Sequence, residues 1–221
     1  YLEIQKLFEN NPLVSFFRKT EKKTVRKTKD EVLLDYATVA YDLVYDATVD
    51  KTYYDNATRV LHVACARKRN LTPKYNSQVD HWLGLMGGAY ANKLQDWLAS
   101  VTALDKQCCA LYLFGEPGTG KTLLATGVAK IWKEDGTPTM LENIVGNFNE
   151  DLLKCPLVVA DEQLPKDIQS GTLRSLIGRS SFPITKKHVS NADYKGAIRM
   201  IVTSNNTSLL RQDEHLSAMD M

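Results

Sequence analysis

Residues 115–122 read Gly115-Glu116-Pro117-Gly118-Thr119-Gly120-Lys121-Thr122. This spacing is that of a phosphate-binding loop, G-x-x-x-x-G-K-[ST]. Glycines let the backbone turn tightly and aim several N–H groups at one point, which makes an anion nest. The Lys121 ammonium is then expected at the β- and γ-phosphates and the Thr122 hydroxyl at Mg²⁺. A helix starting here adds its positive dipole end to the same point. Average residue usage gives a chance match about once in 30,000 positions, so the motif carries weight. The expected nucleotide contacts are Gly115 to Thr122 together with Leu123.

Two further stretches complete a reaction chemistry. Leu157-Val158-Val159-Ala160-Asp161-Glu162 is an apolar run ending in two carboxylates. An acid at such a strand end holds the metal, which is the role expected of Asp161. A second acid can orient or deprotonate an attacking water, the role expected of Glu162. Ala197 to Asn206 is another buried-strand run, ending in asparagine. Asn205 is the polar side chain expected between the loop and the acids, where it would polarise the lytic water. Between these strands lies Phe182 to Gly196, whose alternation around Ile184 and Val189, with a turn over 190–193, predicts a β-hairpin. Lys186, Lys187, His188 and Lys195 concentrate positive charge on it, as a solvated tip or as a contact to a nucleic-acid backbone.

These groups need elements to hold them. Ala110 to Phe114 reads as a buried parallel strand, and Leu124, Val128, Ile131 and Trp132 recur at helical spacing after the loop. Pro138 to Leu141 is a weaker strand candidate, and 165–178 is helical by pattern. A four- or five-stranded parallel sheet with crossover helices follows. Upstream, the periodicity predicts helices over 30–48, 55–69, 77–87 and 89–101. In the second of these, Arg67, Lys68 and Arg69 suit the negative dipole end. Ser77-x-x-Asp80 opens the third, Gly87-Gly88 closes it, and Trp82 and Trp97 are expected in the core. The chain therefore divides into a helical N-terminal domain over 1–105, with an oligomerisation role, and an α/β domain over 106–221. The basic run 18–29 is either a solvated linker or hairpin, or a phosphate-contacting surface.

Bulk properties bound the partners. A formal net charge of +2 and 43% hydrophobic residues describe an ordinary globular chain, so any nucleic-acid contact must come from local patches. The four cysteines form no C-x-x-C pair, which argues against a zinc module or disulfide framework and for a reducing cytoplasm. No apolar run is long enough for a membrane span. The chain begins at Tyr1 rather than Met and reads as a piece of a longer protein.

In order, Gly115–Thr122, Asp161-Glu162, the basic segment before the last strand, and Asn205 resemble the four motifs of the superfamily-3 helicases, AAA+ type motors of viruses and phages. The nearest likeness is to the helicase part of phage primase–helicase proteins. There, helices like His81-Trp82-Leu83 and Asp96-Trp97-Leu98 precede the phosphate loop. The resemblance covers about residues 75–210. It implies an AAA+-like P-loop NTPase core, ATP and Mg²⁺ as cofactors, a hexameric ring with hydrolysis at subunit interfaces, and movement on single-stranded DNA. It further implies that Lys187 and His188, with Lys186, contact DNA in the central channel, and that a primase–polymerase domain lies upstream. The family's trans-acting arginine follows the asparagine strand. Arg211 stands in acidic surroundings, so the finger is expected beyond Met221, leaving this chain able to bind ATP but slow to hydrolyse it. Three rivals stand beside this reading: an AAA+ initiator or loader, a small-molecule kinase, and a non-catalytic assembly module.

Overall fold

The computed structural model describes residues 17–19, 24–26, 40–145, 149–161, 170–185 and 192–205. The chain forms two compact units, Tyr1–Tyr41 and Asp42–Met221. In the first, β1 (Phe17–Lys19) and β2 (Thr24–Arg26) pair antiparallel, so part of the basic run 18–29 forms a hairpin. Residues 1–16 lie outside the described residues.

The second unit carries two sheets. Four parallel strands, β6 (Leu111–Phe114), β7 (Thr139–Met140), β8 (Leu157–Asp161) and β11 (Arg199–Ser204), stand in the order β6-β11-β8-β7. β8 is buried from Leu157 to Ala160, and all of β11 is buried, as a parallel sheet covered on both faces requires. The helices of this unit are α1 (Ser77–Gly87), α2 (Ala91–Ser100), α3 (Lys121–Ala129), the short α4 (Leu141–Val145) and α5 (Ser170–Gly178). Leu94, Trp97, Leu124, Val128 and Trp132 enter one core with the sheet. The α/β class with a parallel sheet and flanking helices is thus as expected. Among the described residues no helix is long and apolar enough to cross a membrane.

The five-stranded sheet departs from expectation. Its order is β4-β5-β3-β10-β9, built from β3 (Asp42–Asp46), β4 (Tyr53–Asp55), β5 (Val60–Ala64), β9 (Ser181–Ile184) and β10 (Ala192–Lys195). The expected helix over 55–69 is a strand followed by non-helical chain. The described end of the expected helix over 30–48 is also a strand; residues 30–39 lie outside the described set. The cause is an ambiguity of spacing. Residues four apart share a face in a helix and also in a strand, so Leu43 with Ala47, or Val60 with Ala64, fits both periods. Pairing decided for strand: β3 lies parallel to both β5 and β10. The turn before β5 is built by Asp55, whose carboxylate accepts from the Ala57 N–H (2.9 Å) and the Thr58 hydroxyl (2.8 Å). The division near residue 105 is corrected with the helices, since strands before and after the glycine loop share a sheet in the unit that starts at Asp42.

The upstream helices 77–87 and 89–101 are present with adjusted ends. α1 is capped by Asn76, whose side chain accepts from the N–H groups of Gln78 (2.9 Å) and Val79 (3.2 Å), one residue before the expected Ser77. Gly88, at φ +49°, follows its last residue. A 3₁₀ turn over Gly88–Tyr90 leads into α2, and Tyr90 is exposed. Trp97 is buried, and its indole N–H donates to the Cys109 carbonyl at 2.8 Å.

Candidate nucleotide-binding site

All four strands of the parallel sheet end on one edge. β6 runs into Gly115, β11 into Asn205, and β8 ends at Asp161. The register pairs Ser204 with Phe114 and Thr203 with Asp161, so β11 stands between the glycine loop and the acid. Asn205 directly follows the end of that middle strand. The Gly115 N–H donates to the Ser204 carbonyl at 3.1 Å, which ties the start of the loop to that middle strand.

The loop has the backbone its glycines permit. Gly118 sits at φ +81° and Gly120 at φ +94°, both in the left-handed region that L-residues avoid. Gly120 is the N-cap of α3, and its carbonyl accepts from the Leu124 N–H at 3.0 Å. The Lys121 ammonium is folded back into the loop. It donates to the carbonyls of Gly115 (2.7 Å) and Glu116 (2.9 Å) and lies 3.5 Å from the Thr119 hydroxyl. Among the described residues no carboxylate neutralises it. These carbonyls are neutral partners, so an entering anion can displace them with a gain in Coulomb energy. A cavity of about 740 Å³ opens beside Gly115, Thr119 and Lys121, and Trp82 and Phe114 form part of its wall. A second, apolar cleft of about 630 Å³ lies between Val79, Trp82, Leu123 and Gly127.

Asp161 is exposed, and one of its carboxylate oxygens accepts from the buried Thr203 hydroxyl on the neighbouring strand. That bond orients the carboxylate and leaves its other oxygen available. Thr122 is exposed on the first turn of α3. A hydroxyl and a carboxylate oxygen form the hard donor set that suits Mg²⁺. Glu162, Lys186, Lys187, His188, Asn206 and Arg211 lie outside the described residues.

Three features are legible only in the structure. Thr203, two residues before Asn205, is the partner of Asp161. Trp82, expected in the core, is only partly buried and touches the loop at Gly120. The hairpin stem β9–β10 exists as expected, but in the five-stranded sheet rather than on the sheet of the loop, and β10 already begins at Ala192 within the expected turn. One of its four counted cations is engaged: Lys195 pairs with the fully buried Asp46 at 3.1 Å. Asp46 also accepts from Thr48 and lies 3.1 Å from Nδ1 of His62, whose ring stacks on Tyr53. Arg69 does serve a helix C-terminus, but that of α3: it donates to the Lys130 carbonyl at 3.1 Å.

The comparisons with known proteins bear on the fold. The family of unknown function DUF5906 matches residues 113–217, a span holding the loop, β8, the hairpin stem and Asn205. No curated protein matches the chain. The apo structure of the C-terminal region of NrS-1, residues 305–718, is similar at a TM-score of 0.62 and 16% identity, over 96% of this chain and 59% of that one. An A-form apo structure of that region gives a TM-score of 0.60, also at 16% identity, over 96% and 58% of the two chains. Another A-form structure gives 0.57 at 17% identity, over 89% and 53%. The likeness is one of fold. The chain spans under two thirds of the length of these NrS-1 structures.

Proposed function

We propose that this chain is the nucleotide-driven core of a replication helicase of the superfamily-3 type, binding ATP with Mg²⁺ at the glycine loop and acting on single-stranded DNA. The observation that carries the reading is the shared edge: glycine loop, Asp161 and Asn205 stand at the ends of three adjacent parallel strands. Fold similarity to the C-terminal region of NrS-1 supports it.

In this reading the Lys121 ammonium leaves the Gly115 and Glu116 carbonyls and takes the β- and γ-phosphate oxygens. The N–H groups of 118–122 and the N-terminus of α3 complete the anion site. Thr122 and Asp161 would hold Mg²⁺, which when bound neutralises phosphate charge. Thr203 keeps Asp161 in place for that role. Glu162 takes the proton of the attacking water, and Asn205 orients that water at the γ-phosphate. Leu123 and the apolar cleft beside it offer the nucleoside a dry surface. Lys186, Lys187 and His188, in the connection between β9 and β10, would contact the DNA backbone. A hexameric ring, a trans-acting arginine beyond Met221 and an upstream primase–polymerase domain belong to the same proposal.

Calorimetry with ATP and Mg²⁺, followed by ATPase assays with and without single-stranded DNA, tests it. Micromolar binding that Lys121→Ala removes, with DNA-stimulated turnover in a longer chain, is the expected result. Tight binding without DNA stimulation favours a nucleotide-binding assembly module, and DNA-stimulated turnover without strand displacement favours a loader. The loader is the second reading because the hairpin stem lies in the other sheet and its Lys195 is engaged by Asp46.

A further inference from the structure

We infer that Trp82 is the positioning residue of the glycine loop, the side chain through which α1 feels whether the loop holds a nucleotide. A Cβ built on Gly120 would lie 3.0 Å from Cζ2 of the indole and 3.2 Å from Nε1. The N–H edge of the ring is therefore in van der Waals contact with the last glycine before Lys121. That glycine is doubly required, by its φ of +94° and by the ring.

The other two tryptophans differ. Trp97 and Trp132 are buried at 5% and 6% exposure, and the Trp97 indole N–H is paired with Cys109. The Trp82 ring is only partly buried, and its N–H, like that of Trp132, pairs with no acceptor among the described residues. It also lines both compartments at the loop, the cavity that reaches Thr119 and Lys121 and the apolar cleft that reaches Leu123. Leu123 and Val79, 64% and 49% exposed, both line that cleft.

A loop that closes on a triphosphate must keep Gly120 in place, because the Gly120 carbonyl starts α3 and the next residue is Lys121. The indole is the surface against which Gly120 rests. Movement of the loop on binding moves the ring, and the ring belongs to α1. This inference rests on the proposed nucleotide site and names a residue for it that no loop motif includes.

The test uses the full chain and reads tryptophan emission and calorimetric affinity side by side, with ATP and Mg²⁺ as the ligand. Emission of the unsubstituted chain is expected to change along the calorimetric isotherm, and Trp82→Phe, which keeps a flat wall, is expected to lose that change. Displacing the brace with Trp82→Ala is expected to weaken binding about tenfold or more, and Trp82→Phe by less than about threefold. Binding with unchanged emission, or equal affinity in the Ala and Phe variants, overturns the role. A ligand-free arm separates this inference from the reading beneath it. Gly120→Ala should push the indole toward water and red-shift emission without nucleotide, and the shift should vanish when Trp82→Phe is added. No shift overturns the contact itself. If that shift is seen but the unsubstituted chain binds no nucleotide, the proposed function is overturned, and this role with it.

Discussion

At opposite ends of the parallel sheet, two cations are held by backbone carbonyls, and neither is in an ion pair with a carboxylate among the described residues. At the C-terminal edge, Lys121 donates to the carbonyls of Gly115 and Glu116. At the N-terminal edge, Arg199 is 1% exposed and donates to the carbonyls of Ser100, Ala103 and Lys106, where α2 ends. Burial holds the Arg199 guanidinium below its usual range, against smaller opposing effects of Cys108, Tyr194 and Asp105. The chemistry of the two sites is alike and their surroundings are not. Lys121 borders a cavity, so its carbonyls can be exchanged for an anion. Arg199 is sealed, and its carbonyls belong to the end of α2 and to the turns that follow it. A cation on neutral acceptors becomes a binding group only where an anion can reach it.

The comparison predicts a hierarchy of effects. Lys121→Ala should weaken nucleotide binding by at least about 100-fold while shifting stability by less than about 1 kcal/mol. Calorimetry and thermal melting on the same sample check both parts. A large loss of stability would mean that Lys121 is a structural cation like Arg199. Arg199→Met should do the reverse, costing about 3 kcal/mol because the carbonyls of Ser100, Ala103, Lys106 and Ile198 each lose a guanidinium donor. Urea unfolding measures it, and nucleotide affinity of the folded variant should stay within about twofold.

Asp46→Asn extends the contrast to the five-stranded sheet, where a buried carboxylate is fully engaged. It should cost about 2 kcal/mol at pH 7 through loss of charge at Lys195 and of an acceptor at Thr48. Burial raises the Asp46 pKa, but bonds from Thr48, Lys195 and His62 outweigh it and hold the group below its ordinary 3.8. A carboxylate depressed in the folded state stabilises above its unfolded pKa, so this contribution is present above pH ~4 and is lost as pH falls through the lowered folded value. The stability gap between the two proteins should therefore narrow in acid below pH ~4, and a gap that widens there would reverse the assignment. Thr203→Val should have the smallest effect, about 1 kcal/mol. It should also weaken the Mg²⁺-dependent part of nucleotide binding severalfold, which a titration with and without the metal would resolve.

Legibility in the sequence followed range. The glycine loop, the strand before it, the helix after it and Asp161 at a strand end were readable because each is decided within a few residues. α1 and α2 were readable because caps and glycines bound them. The segments that form β3 and β5 read as parts of helices because period four does not separate helix from strand in short segments. Arg199, inside an apolar run, gave no sign that it would end a helix a hundred residues earlier in the chain. Lys195 looked like one more cation on a basic hairpin until Asp46, far upstream, was seen to lie against it.

The amino-acid order by itself determined the local chemistry at 115–122: left-handed angles open to Gly118 and Gly120, an ammonium and a hydroxyl at fixed offsets, and a helix start behind them. Only the tertiary structure decided that β11 stands between that loop and Asp161, that β3 pairs with β10, and that Trp82 rests on Gly120. Dihedral preferences act over neighbouring residues and are written in their types. Strand order and ring contacts join segments tens of residues apart, and they are chosen by which pairing buries the most apolar surface while leaving the fewest backbone groups unpaired.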